Sequence, residues 1–156
     1  LYTKEFFTLV REKLNPGGVV TVFVQLYEST PEAVKSEVAT FFEAFPDGFV
    51  FGNTHMGQGY DIVLVGQKEP EPIDVDMIQA KLDRPEFAPV RQSMAELGMY
   101  SAVDLLSTFG MEAKYLKPWT ADAQINMDRN LRLQYLAGFG LNMYRQAEIY
   151  SEMLQY

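Results

Sequence analysis

Residues Val19 to Gln25 read VVTVFVQ directly after Asn15-Pro16-Gly17-Gly18. The run is short, apolar and β-branched at most positions, without the alternation of a half-wet strand. Such a run predicts a strand buried on both faces, in the middle of a parallel α/β sheet. A helical pattern precedes it and stops at the glycine turn. A polar turn and a second helical pattern follow. Helix, glycine turn, buried strand and helix make half of a doubly wound unit.

The first helical pattern, Leu1 to Leu14, lines up Phe6, Leu9, Val10 and Leu14 on one stripe. Thr3 is its expected N-cap. Ser29-Thr30-Pro31-Glu32 opens the second helix, with hydroxyl caps, Pro early and Glu in the first turn. Its inward residues are Val34, Val38, Phe41, Phe42 and Phe45, and Pro46-Asp47-Gly48 ends it. Phe49–Phe51 and Asp61–Val65 then read as two antiparallel strands joined by a loop from Gly52 to Tyr60. This succession resembles the tail of the class I methyltransferase-like Rossmann fold, whose last strand inserts antiparallel, and that resemblance implies the spatial order Val19–Gln25, Asp61–Gly66, Phe49–Gly52.

The proline- and acid-rich stretch Lys68 to Asp74 marks a boundary. Residues 1–68 are expected to form a partial α/β half, and residues 69–156 a helical extension packed on it. Val75–Leu82, Pro89–Leu97 and Ala102–Phe109 are helix candidates. Leu116–Ile125 reads as loop, and Asn130–Leu154 as helix broken near Gly138 and Gly140.

With 156 residues, 47% hydrophobic and 22% charged, the chain suits one globular domain with a real core. The net charge of -8 and the lack of a Lys/Arg cluster argue against a nucleic-acid partner. Cysteine is absent, which removes disulfides, thiolate zinc sites and a cysteine nucleophile, and fits a cytoplasmic setting. The one histidine, His55, cannot build a His-based metal site alone. No apolar run approaches membrane-spanning length, and no signal-peptide pattern opens the chain. Leu1 enters an amphipathic pattern directly, which reads as a piece of a longer protein.

Chemistry is expected at the carboxyl end of the first strand, where open α/β sheets bind ligands. Gln25, Tyr27 and Glu28 sit there, although Tyr27 packed on the next helix and Glu28 at the surface is the plainer reading. The Gly52–Tyr60 segment adds Asn53, His55, Gln58 and Tyr60 among three glycines, a composition that permits close approach to a ligand. Asp128 lies in Asn126-Met127-Asp128-Arg129-Asn130. It is either a helix cap, a role open to Asn130 too, or a carboxylate aimed into the cleft to hold an amine. Trp119 and Tyr135, Phe139, Met143, Tyr144 and Tyr150 read as core or interface. No GxGxxG loop occurs, nor an acidic residue at ribose-binding spacing.

Several of these stretches resemble a known family. Leu1-Tyr2-Thr3-Lys4-Glu5-Phe6-Phe7, the Pro16-Gly17-Gly18 turn and Val24-Gln25-Leu26-Tyr27-Glu28 resemble the second half of spermidine synthase-like aminopropyltransferases. The bacterial fused type, with a membrane-spanning segment upstream, is the nearest in pattern. Asn126-Met127-Asp128-Arg129, followed by Leu133 and Tyr135, is similar to that group's Asn-Thr-Asp-Asp segment, from which Met127, Arg129 and Gln134 differ.

The resemblance implies the C-terminal half of a class I methyltransferase-like Rossmann fold with a helical C-terminal extension. It implies aminopropyl transfer from decarboxylated S-adenosylmethionine to a diamine or polyamine, with an acceptor pocket at Gln25, Tyr27, Glu28, Tyr60 and Asp128. The donor site and catalytic aspartate would lie before Leu1, in a missing N-terminal half, so the piece alone is expected to be inactive and free of cofactor.

Two rivals share the fold: the tail of a small-molecule methyltransferase, and a non-catalytic scaffold or binding domain. A strand that has lost one neighbour seeks another, so homodimerisation through Val19–Gln25, or cover by the C-terminal helices, is a further expectation.

Overall fold

The structure, a computed structural model, describes residues 1–55 and 58–156, with the His55 side chain outside the described part. By its internal contacts the chain falls into two compact units, Leu1–Pro70 with Gly110–Tyr156, and Glu71–Phe109. The proline-rich stretch lies where the first gives way to the second, and residues 110–156 return to the first.

In the first unit, α1 (Lys4–Lys13) is N-capped by Thr3, whose hydroxyl accepts from the Phe6 N–H. Phe7 is its buried residue, flanked by partly buried Phe6, Val10 and Leu14. Leu9, expected on the inner stripe, is exposed instead. The helix is rolled so that Phe7 meets Phe41 edge-on at 5.1 Å. At its other end the Lys68 ammonium donates to the Arg11 and Glu12 carbonyls, satisfying groups that a helix terminus leaves open. α2 (Pro31–Ala44) starts as expected, with Thr30 as N-cap and Pro31 in the first turn, and buries Val34, Val38 and Phe41.

The sheet runs β1 (Val19–Gln25), β3 (Gln58–Gln67), β2 (Phe49–His55), β4 (Phe109–Glu112). The first three occur in the spatial order the sequence implies. β3 is antiparallel to both neighbours, so β1 and β2 point the same way.

Three expectations are corrected here. First, β1 is not a central strand buried on both faces but an edge strand, and only alternate residues are covered. Val22 and Val24 lie under the helices, whereas Val19 and Phe23 are half exposed on the other face. The run conceals this because valines fall on both parities, leaving only Thr21 and Gln25 as polar marks of the open one.

Second, the described part of Gly52–Tyr60 is strand and not loop, residues 56–57 of that expected loop lying outside the described residues. The strands continue through it, with a register shift at Asn53/Thr54, down to a Thr54↔Gly59 and His55↔Gln58 pairing. Two of the glycines that suggested a loop are there for packing: a Cβ on Gly59 would come within 2.1 Å of the Tyr150 side chain, and one on Gly52 within 2.2 Å of its hydroxyl. Third, Phe109 is not the end of a helix. The helix α5 (Ala102–Leu106) stops earlier, and Phe109 opens β4.

α8 (Gln146–Met153) supplies that Tyr150 and buries Ile149 and Met153. The C-terminal helical pattern is broken around Gly138, as expected, leaving α7 (Arg132–Leu136) and α8. Tyr135, Phe139, Met143 and Tyr144, expected as core or interface, are exposed, whereas Trp119 is fully buried after α6 (Ala113–Leu116). A buried network ties residues 124–126 to α2. The Ser36 hydroxyl donates to the Gln124 carbonyl at 2.6 Å, and Thr40 accepts the Asn126 N–H at 2.8 Å.

The second unit contains α3 (Val75–Leu82), α4 (Ala88–Glu96) and α5, with Leu82 and Ala102 buried. The Gln79 side-chain oxygen accepts the Ala102 N–H, joining α3 to α5. Arg91 donates to the Leu82 and Arg84 carbonyls, closing the end of α3.

Candidate functional site

Because β1 and β2 point the same way, their carboxyl ends meet at one end of the sheet, beside the start of β3. Gln25 pairs with Asp61, and Asp61 pairs with Asn53. Residues paired across a sheet share a face, so an amide, a carboxylate and a second amide form one row. The Lys68 N–H donates to the Gly18 carbonyl, which sets the ladder phase: even-numbered β1 residues bond to β3. Gln25 and Asp61 are therefore a non-hydrogen-bonded pair, the kind whose side chains come closest.

Asp61 is the chemically unusual member of the row. It is only 6% exposed, although the face it lies on is largely open. Burial raises its carboxyl above the usual aspartate range, and a hydrogen bond from Asn53 partly offsets that. No Lys or Arg forms an ion pair with it among the described residues. A carboxylate this little exposed, with no Lys or Arg ion pair among the described residues, is electrostatically suited to a cation.

At the same end of the sheet Tyr27 stacks on Tyr60, with ring centroids 4.7 Å apart and planes 25° from parallel. Tyr60 is the extra residue at the register shift between the Asn53↔Asp61 and Thr54↔Gly59 pairs, so the stack lies next to the polar row at an irregular point of the strand. Glu28 follows Tyr27 with φ of 53°, in the left-handed region that a non-glycine residue enters only where the chain must turn sharply. The next residue, Ser29, has its backbone against Gly140, where an added Cβ would meet it at 2.4 Å. The C-terminal segment is thereby pinned beside the end of β1.

Of the residues the sequence singles out, Gln25, Tyr27, Glu28 and Tyr60 are thus gathered at one end of the sheet. Asp128 is not tied to them. It is exposed, and its backbone N–H donates to Glu5 at 3.0 Å, at the start of α1. Neighbouring Asn126 is 2% exposed and serves the scaffold. Its side chain donates to the Tyr2 carbonyl and accepts the Leu133 N–H. Asn130 accepts the Met127 and Arg132 N–H groups, taking the capping role.

Asp61 is the residue the sequence reading passes over. Its signal is an aspartate at the head of the apolar strand DIVLV, in register with Gln25. Among the described residues no cluster of three or more His, Cys, Asp or Glu could hold a metal ion, and no helix is long and apolar enough to cross a membrane. Comparisons with family models, curated proteins and solved structures give no match for this chain.

Proposed function

We propose that this chain is the acceptor-side part of a spermidine synthase-like aminopropyltransferase, and that the Gln25–Asp61–Asn53 row receives an ammonium group of a diamine or polyamine. The observation that carries the reading is Asp61, a carboxylate at 6% exposure without a cationic partner among the described residues. An ammonium supplies the missing charge, and the flanking amide oxygens accept its remaining N–H groups. Support also comes from the strand order, in which an antiparallel strand inserts between two co-directional ones, as at the tail of a class I methyltransferase-like Rossmann fold.

In the transfer itself, the acceptor nitrogen attacks the propyl carbon next to the sulfonium of decarboxylated S-adenosylmethionine. The C–S bond breaks, the thioether leaves, and the nitrogen sheds a proton. A carboxylate with a raised pKa holds the distal ammonium and leaves the attacking amine to lose its proton elsewhere. Handling of the donor is assigned to none of these residues.

Calorimetric titration with putrescine tests the proposal. The wild-type chain is expected to bind, and Asp61→Asn to weaken binding at least about tenfold, the scale of one charged hydrogen bond. Equal affinity in the variant would remove the site from the account.

A second reading is a non-catalytic binding domain on the same fold. The observation that favours it is the Asn126–Arg129 segment, in which Asn126 is spent on backbone contacts and Asp128 faces solvent. No heat from the wild-type chain with putrescine would move the balance to this reading. The third possibility, the tail of a methyltransferase, is separated by assaying a longer form with S-adenosylmethionine against its decarboxylated form. Methyl transfer without aminopropyl transfer would establish it.

A further inference from the structure

We propose that Tyr150 is a positioning residue for the Gln25–Asp61–Asn53 row: it locks the register of the β-bulge that presents Asp61 and Tyr60 at the end of the sheet. What the row binds rests on the acceptor-site reading above. What Tyr150 does rests on the geometry of the hairpin alone.

β2 and β3 pair residue for residue from Phe49↔Val65 to Asn53↔Asp61, and the next pair is Thr54↔Gly59. Tyr60 therefore has no opposite number on β2. An extra residue of this kind interrupts the ladder and re-aims its side chain. Here the ring is delivered onto Tyr27, with centroids 4.7 Å apart. The interruption falls beside Asp61, whose hydrogen-bond donor Asn53 belongs to the other strand. A slip of one residue on β2 would carry Asn53 away from Asp61 and turn its side chain to the other face.

Tyr150 opposes that slip. A Cβ on Gly52 would strike its hydroxyl, and a Cβ on Gly59 would strike its Cβ and Cγ. Gly52 pairs with Ile62, just before Asn53↔Asp61, and Gly59 belongs to the pair just after. One side chain thus spans the irregularity, crossing from β3 to β2 behind the Asn53↔Asp61 pair. It lies on the helix-covered face, where Ile62 is fully buried, and Asp61 is on the opposite one. Only glycine lets a ring lie this close to strand backbone. Moving β2 by one residue would put Phe51 or Asn53 in the place of Gly52, and moving β3 would put Gln58 or Tyr60 in the place of Gly59. Each replacement drives a Cβ into the ring, so only the observed register has a glycine at both places. The helix that carries Tyr150 is anchored independently, through buried Ile149 and Met153.

The test separates positioning from stability. In the wild-type chain, nuclear Overhauser contacts are expected from the Tyr150 ring to the α-protons of Gly52 and Gly59, and between the Tyr27 and Tyr60 rings. Tyr150→Ala is expected to abolish the Tyr27–Tyr60 contacts and to weaken putrescine binding about tenfold. Tyr150→Phe keeps the ring and is expected to retain the contacts, with affinity held within about twofold. Met153→Ala empties the core one turn along the same helix. It is expected to lower the melting temperature at least as far and to leave the Tyr27–Tyr60 contacts and the affinity unchanged. Tyr150→Leu takes the place of Tyr150→Ala if the latter does not fold.

Tyr27–Tyr60 contacts that survive loss of the Tyr150 ring overturn the proposal, as does their equal loss in Met153→Ala. So does a wild-type chain without contacts from Tyr150 to the two glycines, a readout that needs no variant. A chain that loses the Tyr27–Tyr60 contacts with Tyr150 but takes no putrescine in its wild-type form upholds the register lock and removes the acceptor reading instead.

Discussion

The two faces of the sheet both carry β-branched residues and have opposite fates. On one face Val22, Val24, Ile62 and Leu64 are sealed beneath α1, α2 and α8. On the other, Val19, Thr21 and Phe23 stand open and lead to the Gln25–Asp61–Asn53 row. Residue type separates them poorly, since β-branched residues occur on both. What does is which partner each parity meets: α2 offers Val34, Val38, Phe41 and Phe45 to one side only. Burial is therefore concentrated on the even-numbered face of β1, and the odd one is left open.

The sharpest way to break this comparison is to empty the closed side. Phe41 is fully buried, stacked on Phe45 at 4.9 Å and edge-on to Phe7. Phe41→Ala is expected to cost about 3–5 kcal/mol in urea unfolding. A loss under about 1 kcal/mol would show that the core is not there.

Gly59→Ala comes next, at about 2–3 kcal/mol, because the new methyl meets Tyr150 near the root of its side chain and α8 must shift. Gly52→Ala should cost less, since it meets the hydroxyl tip. The order of the two variants, read by thermal melting, reports whether α8 is docked as described.

Glu37 sharpens the picture through pH. It lies on α2, partly exposed at the residue level, and burial of its carboxyl pushes the pKa from 4.5 up to about 7. A raised carboxyl pKa favours folding in the protonated form, so this contribution is full below pH 4.5 and is lost as pH rises towards about 7. Glu37→Gln removes the penalty. It should stabilise the chain by about 1–2 kcal/mol at pH 8 and by little at pH 4, after allowance for partial exposure. A gain that does not depend on pH would show that the carboxyl is ordinarily solvated.

The smallest effect is expected on the open face. Phe23→Ala should change monomer stability by less than about 0.5 kcal/mol in dilute solution. A cost near that of Phe41→Ala would mean that the odd face is covered too.

Much of the packed half was legible in the sequence. Thr3 and Thr30 cap the helices they were expected to cap, Pro31 starts α2, and α2 buries the expected apolar stripe. Those signals are local, fixed by a few neighbouring residues. Burial of β1 was not legible, because VVTVFVQ reads the same whether one face or both are covered. Nor was the extent of the hairpin: Gly52 and Gly59 mimic a loop, and only Tyr150, some ninety residues later, shows why they are glycines.

For the site, position past the strand end picked out Gln25, Tyr27 and Glu28, and the composition of the Gly52–Tyr60 segment picked out Tyr60. Asp61 needed the register, which depends on which strands become neighbours. Asp128 was left open between a cap and a ligand-facing carboxylate; it is exposed, and its backbone N–H is anchored to Glu5.

The account turns on whether Asp61 is a buried carboxylate waiting for a cation. Carbon-13 NMR of its side-chain carboxyl, followed through a pH titration with and without saturating putrescine, measures this directly. The account predicts a titration above the usual aspartate range in the free chain, falling when putrescine is present because the ammonium favours the charged form. An Asp61 that titrates as an ordinary exposed aspartate, or one whose raised titration putrescine leaves in place, would contradict it.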